Sequence, residues 1–127
     1  MKNVDLPKTF GNAKVVQLYL NNQPWLVGRA DTAGNPVYHP LILEEFLIEH
    51  DIQFQRNKQF LPVLEGRQYR VAGMGVCSIS KGTYYFGGFS ESYSELEKLF
   101  GIDKKHLEDF KKVNPGFRYR VRRDTHQ

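Results

Sequence analysis

Tyr69-Arg70-Val71-Ala72-Gly73-Met74-Gly75-Val76-Cys77-Ser78-Ile79-Ser80, then Lys81-Gly82, then Thr83-Tyr84-Tyr85-Phe86-Gly87-Gly88-Phe89, organises the chain on either side of it. Two strand-like runs are separated by two residues, the second a glycine, which suits a tight β-hairpin turn. Toward the N-terminus, Lys14-Val15-Val16-Gln17-Leu18-Tyr19-Leu20 and Pro24-Trp25-Leu26-Val27-Gly28-Arg29 flank Asn21-Asn22 and read as a second pair of strands. Period-two alternation puts Lys14 on the face of Val16, Leu18 and Leu20, at the opening end of its strand. Between the two pairs, the turn formers Asp31 to Pro36 precede Val37-Tyr38-His39-Pro40, and Leu41 to Glu49 has apolar residues at helical spacing. Proline suits the first helical position, so a helix is expected to start at or near Pro40, with His39 at its N-terminal mouth. Residues 51–68 are weakly patterned and interrupted by Pro62, which fits an edge strand or a loop.

Toward the C-terminus, Ser90 to Glu97 opens a further helix, with Ser94 and Glu97 at capping-box spacing and Ser92 and Glu95 repeating it. Gly101 ends that helix, and Asp103 caps a stretch from Lys104 to Val113 whose Leu107 and Phe110 face inward, with His106 expected on a solvated face. Asn114-Pro115-Gly116 turns the chain into Phe117-Arg118-Tyr119-Arg120-Val121-Arg122, which alternates strictly. The order is β-β-α-β-β-α-β. It describes a single α+β domain over residues 1–127, with a mostly antiparallel sheet and about two helices.

With 127 residues, 40% of them hydrophobic and 13% aromatic, the chain can build one core, and wholesale disorder is excluded. No apolar run approaches the roughly 18–20 residues that cross a bilayer, and Met1 to Asp5 lacks a signal peptide's apolar stretch, so a cytoplasmic protein without a membrane partner is expected. One cysteine, Cys77, excludes an internal disulfide and a cysteine-based metal site. Eighteen Lys and Arg against 14 Asp and Glu give a net charge of +4, which favours anionic partners.

No two of His39, His50, His106 and His126 have the spacing of a helical metal pair, so no metal site is expected. His39 differs from the others because a helix N-terminus disfavours the imidazolium and leaves the neutral, proton-accepting ring a general base needs. Ser90, Ser92 and Ser94 stand before a helix whose first-turn N–H groups are free to bind an anion, although capping alone explains Ser94 and part of Ser92. Gly73-Met74-Gly75 starts like a dinucleotide loop, but no helix opens behind it, and close backbone approach or a bulge is the plainer reading. Arg118, Arg120 and Arg122 share one face of the last strand, either as a solvated face or, with Tyr84 and Tyr85, as a nucleic-acid patch.

In this order the segments resemble the Janus/Ocnus family. Lys14-Val15-Val16-Gln17-Leu18 is similar to that family's strand opening with a substrate-side lysine, and Tyr38-His39 with Ile42 to its Tyr-His-x-x-Ile, where the histidine is the catalytic base. Gly73-Met74-Gly75 resembles its glycine triplet, although Val76 stands where an arginine is usual. Gly88-Phe89-Ser90-Glu91-Ser92-Tyr93-Ser94 resembles its phosphate loop, and Asn114-Pro115-Gly116-Phe117 the turn ahead of its last strand. The resemblance implies a phosphohistidine phosphatase that needs no metal or cofactor. His39 would be the general base, and Lys14, Ser90, Glu91, Ser92, Tyr93 and Ser94 would hold the phosphoryl group of a phosphorylated protein or small phosphoramidate. The second expectation is a non-catalytic module that binds a phosphorylated or otherwise anionic partner, nucleic acid included.

Overall fold

The computed structural model describes residues 1–8, 11–31, 37–64, 68–90 and 101–122. Among the described residues, eight strands and two helices follow one another as β1 (Val4–Asp5), β2 (Asn12–Leu20), β3 (Gln23–Arg29), α1 (His39–Glu49), β4 (Gln55–Arg56), β5 (Pro62–Val63), β6 (Tyr69–Ser80), β7 (Thr83–Gly87), α2 (Lys104–Val113) and β8 (Tyr119–Val121). Six strands form one sheet in the order β1-β3-β2-β6-β7-β8, and β4 pairs with β5 in a separate small hairpin. The three inner pairs of the large sheet are antiparallel, and the edge pairs β1·β3 and β7·β8 are parallel. This is the expected α+β architecture, and β1 is an edge strand that the sequence pattern did not announce. Apart from Ser90, the helix expected from Ser90 to Glu97 lies outside the described residues, as do most of the Asp31 to Pro36 turn, Arg123 and His126.

Both hairpins close through two-residue turns with every central residue left-handed: Asn21 and Asn22 have φ of 51° and 64°, and Lys81 and Gly82 have 50° and 79°. That mirror-image turn matches the right-handed twist of the strands it joins. Asparagine and glycine tolerate this region of backbone space.

The sheet is covered on both faces. Alternation along β2 sends Val16, Leu18 and Leu20 against Ile42, Leu43, Phe46 and Leu47 of α1. It sends Val15 to the opposite face, with Leu107 and Phe110 of α2 and with Phe86 and Phe117. Each such side chain, fully buried, contributes about 1.5–3 kcal/mol, so the two faces stabilise the sheet jointly. Arg118, Arg120 and Arg122 are exposed while Phe117 is buried, as the alternation of the last strand required.

His106 departs from expectation: it is fully buried rather than on a solvated face. Its Nε2–H donates to the Leu18 carbonyl at 2.9 Å, and its Nδ1 accepts from the Gln17 Nε2–H at 3.1 Å. The carboxamide of Gln17, also fully buried, accepts from the Asp103 N–H at 2.8 Å and donates to the Asp103 carbonyl at 2.9 Å. Asp103 in turn caps α2 by accepting from the Lys105 and His106 N–H groups. Each of these buried polar groups has a partner, which is what makes their burial tolerable. Gly73, opposite Gln17, leaves the room: a Cβ there would overlap Gln17 Oε1 and the Gly101 carbonyl. Beside it the β2·β6 register slips, with Ala72 as the extra residue of a bulge. No described helix is long and apolar enough to cross a membrane.

Candidate functional site

Three of the expected site residues fall within the described structure. His39 is the first residue of α1, Lys14 lies near the start of β2, and Ser90 follows β7. Glu91, Ser92, Tyr93 and Ser94 lie outside the described residues. Tyr38, extended at φ −116° and ψ 147°, is the N-cap of α1 and gives no side-chain cap bond, and Pro40 completes the opening turn. The helix therefore presents His39, rather than a capping hydroxyl, at its start.

His39 is 5% exposed. Its Nε2 lies 2.8 Å from the carbonyl oxygen of Gly75 in β6. A carbonyl can only accept, so Nε2 carries the hydrogen and the lone pair of the neutral ring resides on Nδ1. Burial holds the imidazole below its ordinary value of 6.5 and the Lys14 ammonium pushes in the same direction, whereas the bond to Gly75 opposes them. The ring is thereby kept in the basic, uncharged form with one defined nitrogen for accepting a proton, and Nδ1 has no hydrogen-bond partner among the described residues.

Lys14 lies beside this ring. Its Nζ sits 4.9 Å from the centroid of the Tyr38 ring, the residue preceding His39. Across the sheet Lys14 pairs with Arg29 of β3 on one side and with Val76 of β6 on the other. Arg29 is matched by carboxylates, with Asp5 and Glu45 at 3.1 Å and Glu49 at 3.6 Å. Lys14 has no carboxylate within ion-pair distance among the described residues. An ammonium steadied by an aromatic face and without a carboxylate partner among the described residues is suited to an anionic ligand.

The structure thus brings Lys14 and His39 together. Ser90 is fully buried, and its hydroxyl has no hydrogen-bond partner among the described residues. Cys77 is 1% exposed on the α2 side of the sheet, and burial pushes its thiol up to about 12, so it offers no thiolate nucleophile at neutral pH. Among the described residues no three His, Cys, Asp or Glu side chains come together as a metal-sized group.

Sequence reasoning missed Arg122 as a neighbour of this region. It follows Val121, whose partner is Phe86, and its N–H donates to the Phe86 carbonyl at 2.7 Å. Only the register of β8 on β7 reveals that placement, and no local motif carries it. Gln17 was legible in principle, as one carboxamide within an otherwise apolar strand run.

No protein-family model and no curated protein matches the chain. A neutral, buried imidazole with a defined acceptor nitrogen, near a cation that has no counter-ion among the described residues, can take a proton from water next to a bound oxyanion.

Proposed function

We propose that the chain is a phosphohistidine phosphatase that hydrolyses a P–N bond in a phosphorylated protein or small phosphoramidate, with His39 as general base. The observation that carries this reading is the Nε2–H bond from His39 to Gly75, which leaves Nδ1 as the acceptor of a ring that feels the Lys14 charge. Water attacks phosphorus as Nδ1 of His39 takes its proton. The P–N bond breaks, and the substrate imidazole, protonated on its other nitrogen, leaves as a neutral ring while inorganic phosphate remains. Lys14 stabilises the phosphoryl oxygens, and the neutral leaving group lets the step proceed with no metal assigned a role. General-base catalysis of this kind supplies about 10²–10⁴ in rate.

The test is release of inorganic phosphate from phosphohistidine in excess chelator, wild type beside Lys14→Gln. The expected result is turnover that falls about tenfold or more in kcat/KM on loss of the ammonium. Absence of any release by the wild type overturns the enzymatic reading.

A second reading is favoured by the three exposed arginines on one face of β8: a non-catalytic module for a phosphorylated or otherwise anionic partner, nucleic acid included. Affinity for nucleic acid would fall steeply with salt and vanish on charge reversal at Arg118 and Arg120. Absence of affinity at low salt ends that version.

A further inference from the structure

One crosswise row of the sheet, on the face that α1 packs against, carries three cations. Register aligns Arg29 with Lys14, Lys14 with Val76, and Val76 with Gly87. Arg122 completes the row, because a Cβ built on Gly87 would lie 3.4 Å from the Arg122 Cβ, which places the arginine stem over the glycine. Residues directly opposite one another on paired strands share a face, so the row is a continuous strip. Arg29, at one end, is satisfied by Asp5, Glu45 and Glu49. Lys14 and Arg122 have no carboxylate within ion-pair distance among the described residues. Arg122 instead donates to the Ser78 hydroxyl and lies 6.0 Å from the Tyr85 ring centroid.

Between the two uncompensated cations the floor is Val76 and Gly87. At a strand spacing of about 4.8 Å, the Lys14 and Arg122 backbones are three strands and roughly 14 Å apart, and the Arg122 stem lies back over Gly87, so two long cationic side chains can close around one oxyanion. A cavity of about 360 Å³ begins at Gly87, Gly88 and Arg122 and extends to Phe89, Gly101 and Asp103. Arg122 lines that cavity, and the carboxylate of Asp103, which also lines it, is engaged in capping α2. Ser90, whose buried hydroxyl has no partner among the described residues, follows the cavity-lining Phe89.

We infer that Arg122 is the second cationic arm of an oxyanion site, holding a phosphoryl group over Gly87 opposite Lys14. The chemical class of ligand rests on the phosphoryl reading above, and the placement of the arm rests on the sheet register. A planar guanidinium grips two oxygens of one phosphoryl group at once, which the point charge of Lys14 cannot do.

The experiment is titration of the full chain with inorganic phosphate at constant ionic strength, followed by the amide resonances of Gly87 and Gly88. The wild type is compared with Arg122→Gln, and with Lys58→Gln, which removes the same charge at an exposed position between β4 and β5. Arg122→Gln is expected to weaken phosphate about tenfold or more, as loss of a charge-assisted bidentate contact does. Lys58→Gln is expected to change it by less than about twofold, the scale of a screened surface charge. With phosphohistidine as substrate, Arg122→Gln should raise KM more than it lowers kcat. Equal weakening by both variants, wild-type phosphate affinity in Arg122→Gln, or no phosphate binding by the wild type would each overturn the inference. Arg122-dependent phosphate binding without hydrolysis would sustain it while removing the phosphatase reading. Hydrolysis with unchanged KM in Arg122→Gln would do the reverse.

Discussion

His39 and Gly75 are joined by a 2.8 Å hydrogen bond from the imidazole Nε2 to the backbone carbonyl, and that bond determines which ring nitrogen can accept a proton. Helix α1 supplies the histidine and β6 the carbonyl, so the tautomer is set by how the helix is docked on the sheet rather than by any neighbour in sequence. Burial and Lys14 together keep the ring uncharged below its ordinary 6.5.

The first expected outcome concerns the pH profile. A base must be deprotonated to act, so kcat/KM for phosphohistidine should rise through a value below 6.5 and be level at pH 7. In parallel, the Nδ1 nitrogen resonance of His39 should be that of an unprotonated imidazole nitrogen at neutral pH. A rate still climbing above pH 7, or a protonated Nδ1, contradicts the assignment.

Acid should weaken the fold through His106. Burial holds its folded-state value below 6.5, whereas the unfolded chain titrates at the ordinary value. The unfolded state therefore takes up a proton first as pH falls below 6.5, and stability, complete above that point, declines by up to about 1.4 kcal/mol per pH unit for each such histidine. Geometry explains the resistance: Asp103 fixes the Gln17 carboxamide with its N–H aimed at Nδ1, so a protonated ring would set donor against donor. His39 acts in the same sense. Asp109, held below 3.8 by Tyr19 and Lys105, loses its contribution only in stronger acid. Urea unfolding at pH 7 and pH 5.5 should show a smaller drop for His106→Gln than for the wild type; an equal drop excludes His106 as the source.

Gly73→Ala should destabilise the chain by about 1–3 kcal/mol, the usual scale of overpacking, because the new Cβ would collide with Gln17 Oε1 and the Gly101 carbonyl. Gly116→Ala, where a Cβ meets nothing within 4 Å, should change stability little. Thermal melts of the two variants check the contrast, and equal melting temperatures would mean that the bulge does not need the missing side chain.

How much of this was legible in the sequence depends on the range of the interactions. Lys81-Gly82 announced the β6–β7 hairpin, because a two-residue turn is governed by its own backbone preferences. The start of α1 was legible from Pro40, and with it the place of His39. His106 was misread because a polar residue type was taken as a sign of solvent. Its position four before Phe110 puts both on one helix face, and its partner Gln17 comes from a distant strand, so burial became evident only with the sheet assembled. Lys14 was placed correctly by strand alternation, but the gap between it and Arg122 is a product of register across β2, β6, β7 and β8, which no local pattern encodes.

The most direct measurement is the phosphohistidine hydrolysis rate of the wild type beside His39→Ala, followed by phosphorus NMR, with circular dichroism to establish that both are folded. The account expects inorganic phosphate from the wild type and a rate about 10²–10⁴ lower in the variant, the range lost with a general base. Equal rates from two folded proteins would contradict it.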